Sequence, residues 1–130
     1  MNTNIKIFIS VIVLLIVGTI ITVILRSDEP DSNLPGKYDT FAQCLTDKGA
    51  TFYGAFWCPH CQAQKKLFGK SSKLLNYVEC STADGASQTQ ICIDKNIDGY
   101  PTWEFADGER LNGEISLEQL AEKTSCVLPE

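Results

Sequence analysis

Residues 7–25, IFISVIVLLIVGTIITVIL, form a run of 19 without a charged side chain, broken only by Ser10, Gly18, Thr19 and Thr22. As a helix rising 1.5 Å per residue such a run is about 28 Å long, against roughly 30 Å of bilayer hydrocarbon. One membrane crossing is what it can supply, and it is thereby withdrawn from any soluble core. A cleaved signal peptide is the competing reading, but its apolar stretch is about 7–15 residues followed by a small-residue cleavage site. Here the run is longer and ends Leu25-Arg26-Ser27-Asp28 with no A-x-A pattern, which predicts an uncleaved anchor. Lys6 on one side and Arg26 on the other leave the positive-inside rule little to choose between.

The rest of the 130-residue chain is long enough for one modest domain. From Ser27 onward it carries 9 basic and 16 acidic residues, so a nucleic-acid partner is not expected, because neutralising phosphates needs the opposite sign. All six cysteines also lie there. That density suits an oxidising space outside the cytoplasm. The expected layout is therefore a short cytoplasmic tail at 1–6, an anchor at 7–25, a linker at 26–37 and an extracytoplasmic domain at 38–130. The linker reading rests on Pro30, Pro35, Gly36 and three acidic residues with little to bury.

Within the domain, Phe41, Cys44 and Leu45 at helical spacing predict a helix over 38–48, stopped by Gly49. The aromatic-rich stretch 51–57 reads as a buried strand. Pro59 suits the first turn of a helix over 59–70, and Lys65, Lys66 and Lys70 favour its negative end. A second strand is expected over 74–80 and a short helix over 88–95. Asp107-Gly108 joins strands at 102–106 and 109–111 as a hairpin. Ser116 and Gln119 open a last helix over 117–124 with a capping box. This mixed order predicts an α/β fold, a small sheet flanked by helices.

Cys58-Pro59-His60-Cys61 falls where a strand gives way to a helix. Unpaired N–H groups and the aligned dipole at a helix start stabilise an anion on the first sulfur. Cys58 is thus expected to be an exposed, acidic nucleophile, with Cys61, one turn on, resolving the mixed disulfide. A structural disulfide or half of a zinc site are the alternatives; zinc wants a second close ligand pair, and Cys80 and Cys92 are 12 apart. No metal is expected. Covalent haem attachment needs a His directly after the second Cys, where Gln62 stands.

Phe56-Trp57-Cys58-Pro59-His60-Cys61, followed by Gly99-Tyr100-Pro101-Thr102, resembles the thioredoxin superfamily. Adding Gly54-Ala55, Gln62, Glu79-Cys80-Ser81 and Trp103, residues 41–126 look like the thioredoxin-like domain fused to, or encoded beside, bacterial and plant homologues of vitamin K epoxide reductase. The resemblance implies a thioredoxin-like fold with a central mixed sheet. It also implies an extracytoplasmic thiol–disulfide oxidoreductase that passes oxidising equivalents from a quinone-reducing membrane partner, here acting in trans, to exported cysteine-containing proteins. No cofactor beyond the Cys58–Cys61 disulfide is implied. Pro59-His60 is the pair found in DsbA-type oxidants, so His60 is expected to favour the Cys58 thiolate and make the disulfide more oxidising. Tyr100-Pro101 matches the superfamily's cis-proline, leaving Tyr100 backbone groups to pair with an extended substrate. Trp57 is expected beside Cys58, with a core aromatic as the plain alternative.

One departure stands out. Thioredoxin and DsbA relatives carry a buried acid six residues before the first Cys, where this chain has Phe52. Proton transfer at Cys61 then needs water or another group, such as Glu79. Cys44, Cys80, Cys92 and Cys126 allow three connectivities that spacing does not separate. The reductase-linked family's pattern implies structural disulfides Cys80–Cys92 and Cys44–Cys126, with a relay pair at Cys80 and Cys92 as the rival. Three functional readings compete: an oxidase, a reductant or isomerase for exported proteins or cytochrome maturation, and a non-catalytic disulfide-braced binding module. The predicted topology is checked by protease added outside intact cells, which is expected to digest 38–130; protection of that domain would reverse the orientation.

Overall fold

The computed structural model describes residues 2–25 and 35–130, which fall into two compact units. The first contains a single helix, α1 (Thr3–Leu25), which begins four residues before the uncharged run and takes Lys6 into its first turns. Its stretch Thr3–Thr22 is a candidate membrane span. The Thr19 and Thr22 hydroxyls donate to the carbonyls of Ile16 and Gly18, so these polar groups are satisfied on the helix itself.

Most of the expected linker, 26–34, lies outside the described residues. Residues 35–37 belong to the second unit. There the Gly36 N–H donates to Asp39 Oδ2 at 2.9 Å and the Tyr38 N–H to Ser71 Oγ at 3.1 Å.

The second unit is an α/β structure. Its elements are α2 (Asp39–Asp47), β1 (Thr51–Gly54), α3 (Pro59–Phe68), a 3-10 segment (Gly69–Leu74), β2 (Tyr77–Glu79), α4 (Gln90–Asp94), β3 (Thr102–Glu104), β4 (Arg110–Asn112) and α5 (Leu117–Thr124). The sheet order is β2-β1-β3-β4, with β1 parallel to β2 and antiparallel to β3, and β3 antiparallel to β4. The parallel pair needs a crossover, and α3 supplies it.

Adjacent residues of a strand point to opposite faces, and β1 shows this directly. Phe52 stacks on Trp103 with ring centroids 4.9 Å apart and joins the main core with Phe41, Leu45, Phe68 and Leu120. Tyr53, its neighbour, packs with Cys80, Cys92 and Ile97 in a smaller cluster. Helices α2, α3 and α5 thus contribute to the first cluster and α4 to the second. The α5 capping box forms as the sequence indicates: Ser116 Oγ accepts from the Gln119 N–H and Gln119 Oε1 from the Ser116 N–H.

Several boundaries differ from expectation. β1 ends at Gly54 rather than 57, because Phe56 and Trp57 leave the sheet in a turn. The helix expected to reach 70 ends at Phe68, where Gly69 takes φ +55, and the chain continues as the 3-10 segment, absorbing Leu74 from the expected strand. α4 is also shorter than predicted.

Cys44 and Cys126 are joined with Cα atoms 5.9 Å apart, tying α2 to the segment after α5 across 82 residues, and Cys80 and Cys92 are joined across 12. On a loop-entropy basis these closures contribute roughly 4 and 3 kcal/mol. Phe52 is fully buried, so Phe52→Ala leaves a cavity under Trp103 and is expected to cost about 3–5 kcal/mol in chemical unfolding.

Candidate active site

Where β1 ends, Gly54 leaves no room for a side chain: a Cβ there would lie 3.0 Å from both Cys61 Sγ and Tyr77 Cε2. The chain then turns through 55–57, with the Cys58 N–H donating to the Ala55 carbonyl at 3.0 Å. Cys58 is the N-cap of α3 and Pro59 opens its first turn, where a missing N–H costs nothing. The Cys61 N–H points at Cys58 Sγ across 3.3 Å. This is an N-cap interaction in which sulfur replaces the usual hydroxyl or carboxylate.

Both sulfurs are free thiols, and both are buried. For Cys58 this corrects the expectation of an exposed nucleophile: only 4% of its surface is open, because Tyr100 and the turn at 55–57 close around it. The Cys58 thiol donates to the Tyr100 carbonyl at 3.8 Å, so that carbonyl is engaged by the nucleophile. Tyr100-Pro101 is a cis peptide. Cys61 lies deeper, and burial, followed by the contact with Cys58, pushes its thiol up to about 12.

Trp57 is not a core aromatic. Half exposed, it donates its indole N–H to Ser81 Oγ at 2.8 Å and meets the Tyr100 ring edge-on at 6.2 Å. Gln88 holds the Tyr100 hydroxyl from the other side at 2.8 Å. Phe56, which sequence reasoning assigned to a strand, is equally exposed. Its backbone is fastened, the N–H donating to Glu79 Oε1 at 3.2 Å and the carbonyl accepting from Gln62 Nε2 at 2.8 Å. Glu79 also accepts from the Ser81 N–H at 2.9 Å and the Tyr77 hydroxyl at 2.7 Å. Its carboxylate braces the turn and is occupied by three donors, which corrects its candidacy as a free base for Cys61.

His60 projects to solvent and places Nδ1 2.7 Å from Glu114 Oε1. One helical turn along, Gln64 is fully buried: its Nε2 donates to the Ile115 carbonyl at 2.9 Å and its Oε1 accepts the Ile115 N–H at 2.7 Å. Both Glu114 and Gln64 escaped sequence reasoning, because residues 54 and 51 positions apart carry no local signal of contact. Cys80, joined to Cys92, lines a cavity of about 190 Å³ beside Trp57 and Tyr100, whereas Cys44 and Cys126 belong to α2 and the segment after α5. Among the described residues no group of three or more His, Cys, Asp or Glu is arranged to hold a metal.

A buried dithiol at a helix start, facing a cis-proline, is set in a four-stranded mixed sheet, and the family model described as Thioredoxin matches residues 37–125. The chain belongs to the thioredoxin family. It is 46% identical over 93 residues to Thiol-disulfide oxidoreductase LTO1 of Arabidopsis thaliana, covering 68% of this chain and 24% of that protein. It is 31% identical over 97 residues to Thioredoxin domain-containing protein 5 homolog of Drosophila melanogaster, covering 63% of this chain and 22% of that protein. The chain thus spans about a quarter of the length of these relatives. Family and relatives together support thiol–disulfide exchange as the chemistry of this thioredoxin-family domain.

The raised Cys61 value has a consequence for stability. Below about 9 both folded and unfolded chains keep this proton; between there and about 12 only the unfolded chain releases it, so stability falls as pH rises through that window. The reduced protein is expected to lose urea resistance over that range more steeply than Cys61→Ser, which has no proton to lose there. Equal slopes would mean that the thiol is not protected in the fold.

Proposed function

We propose that this chain is a membrane-anchored, extracytoplasmic thiol–disulfide oxidoreductase that donates disulfides to exported cysteine-containing proteins. Its redox group is the Cys58–Cys61 pair, recharged by a vitamin K epoxide reductase-like, quinone-linked membrane protein acting in trans. The observation that carries the reading is Cys58 Sγ, which takes the Cys61 N–H at 3.3 Å while facing the Tyr100 carbonyl at 3.8 Å.

In the oxidised protein a substrate thiolate attacks Cys58 Sγ, the Cys58–Cys61 bond breaks, and Cys61 departs as a thiolate that takes up a proton. A second substrate thiolate then attacks the substrate sulfur of the mixed disulfide. Cys58 leaves as a thiolate, stabilised by the Cys61 N–H and the α3 amino end, and the substrate holds the new disulfide. Two electrons have moved from substrate to dithiol, and the membrane partner removes them. The candidate span α1 would keep the domain near that partner and raise its effective concentration. The half-exposed Phe56 and Trp57 offer apolar contact to a polypeptide threaded past Cys58, and the cavity beside Trp57 and Tyr100, lined also by Ser81, Ser87 and Gln88, offers polar groups.

The His60–Glu114 pair favours a second direction of flow, because a carboxylate 2.7 Å from the imidazole offsets the charge that would favour the Cys58 thiolate. The reduction potential separates the two. A value near about −120 mV is expected for the disulfide donor, and one near about −270 mV would assign a reductant instead. Cys58→Ser is expected to abolish exchange with a reduced, cysteine-containing protein, and Cys61→Ala to accumulate mixed disulfides at Cys58. Unchanged exchange in Cys58→Ser would leave a non-catalytic, disulfide-braced module.

A further inference from the structure

Cys61 must shed and regain a proton in every cycle, yet burial holds that proton tightly, and Phe52, packed flat on Trp103 in the same core, offers no ionisable group. The groups that face Cys61 among the described residues are few. Cys58 caps α3 and Lys65 lies within it; Tyr77, with its hydroxyl on Glu79, approaches from β2; Gly54 ends β1 beside the sulfur and the Ala55 backbone follows it. Of these, Lys65 alone is a cation.

Its position is specific. Lys65 follows Cys61 by four residues, so both side chains leave the same face of α3. The ammonium sits over the Tyr77 ring, 3.3 Å from the centroid. The edge of that same ring and Cys61 Sγ each lie 3.0 Å from the point a Gly54 Cβ would occupy, so the ring that carries the cation packs beside the sulfur. Glu79 anchors the ring by taking its hydroxyl proton at 2.7 Å. Lys65 has no carboxylate within ion-pair distance among the described residues, and its charge is therefore not spent elsewhere.

We propose that Lys65, seated on the Tyr77 ring, is a positioning residue for the exchange reaction that stabilises the buried Cys61 thiolate. The inference rests on the dithiol reading above. When Cys61 leaves Cys58 in the oxidising step, negative charge appears on a sulfur with almost no contact with water. A nearby cation in such a low-dielectric setting lowers the cost of that charge. In the reverse step, the same cation raises the fraction of Cys61 present as the attacking thiolate. Electrostatics between Lys65 and Cys61 act in this direction and against the larger effect of burial.

The test uses the full chain in detergent, reduced and then loaded at Cys58 by exchange with glutathione disulfide, which releases the first glutathione as the mixed disulfide forms. Release of glutathione by Cys61 is followed as a function of pH. Wild type is expected to release it at a rate that climbs with pH as the thiolate fraction grows. Lys65→Met, which keeps an apolar stem on Tyr77, is expected to be slower by roughly tenfold at each pH, equivalent to a shift of the profile by about one unit to higher pH. Lys65→Arg is expected to restore most of the rate. An unshifted profile in Lys65→Met, or an equal defect in Lys65→Arg, would overturn the assignment, since packing on Tyr77 alone would then explain the residue. Absence of release from wild type itself would instead remove the thiol–disulfide reading on which this rests.

Discussion

The 3.3 Å approach of the Cys61 N–H to Cys58 Sγ joins backbone geometry to chemistry in this protein. It exists because β1 stops at Gly54, the chain turns once, and α3 begins at Pro59 with its unpaired N–H groups aimed back at the cap. The dithiol is asymmetric as a result. Cys58 sits at the cap with a donor on its sulfur; Cys61, one turn in, is buried against Gly54 and Tyr77. Any exchange reaction at this pair must move charge between a sulfur the backbone helps and one the core penalises.

The surroundings hold that geometry from several sides. Glu79 takes the N–H groups of Phe56 and Ser81, Ser81 takes the Trp57 indole, and Gln62 takes the Phe56 carbonyl. Two aromatic rings are thereby left half exposed on a turn whose polar groups are satisfied. On the opposite flank Gln64 clamps Ile115 from within the core, and the neighbouring Glu114 reaches His60. Exposed ion pairs contribute little to stability, so the His60–Glu114 contact orients the imidazole more than it holds the fold. The Phe52–Trp103 stack in the core beneath the site carries no ionisable group.

Much of this domain was legible before the structure was known. The α5 capping box, the Asp107-Gly108 turn, the helix opened by Pro59 and the order of strands and helices all follow from short-range rules of backbone satisfaction and side-chain period. Errors fall where those rules are silent. The aromatic run 51–57 has strand composition throughout, but only its first four residues find partners in β2 and β3. Phe56 and Trp57 are then held outside the core by hydrogen bonds to Glu79, Gln62 and Ser81, partners that apolar composition does not register. Cys58 was expected to be open because nucleophiles need access, yet the Tyr100 carbonyl and the turn cover it.

The sequence by itself determined the uncharged 19-residue run, the acidic remainder, and the C-x-x-C at a strand–helix boundary, since each depends on residues close together in the chain. Tertiary structure alone decided which distant groups meet: Glu114 with His60, Gln64 with Ile115, and Lys65 with Tyr77 beside Cys61. The reason is physical. Local preferences act over a turn of helix or a strand pair, whereas the electrostatic setting of a buried sulfur is a sum over everything the fold packs around it, wherever in the chain it originates.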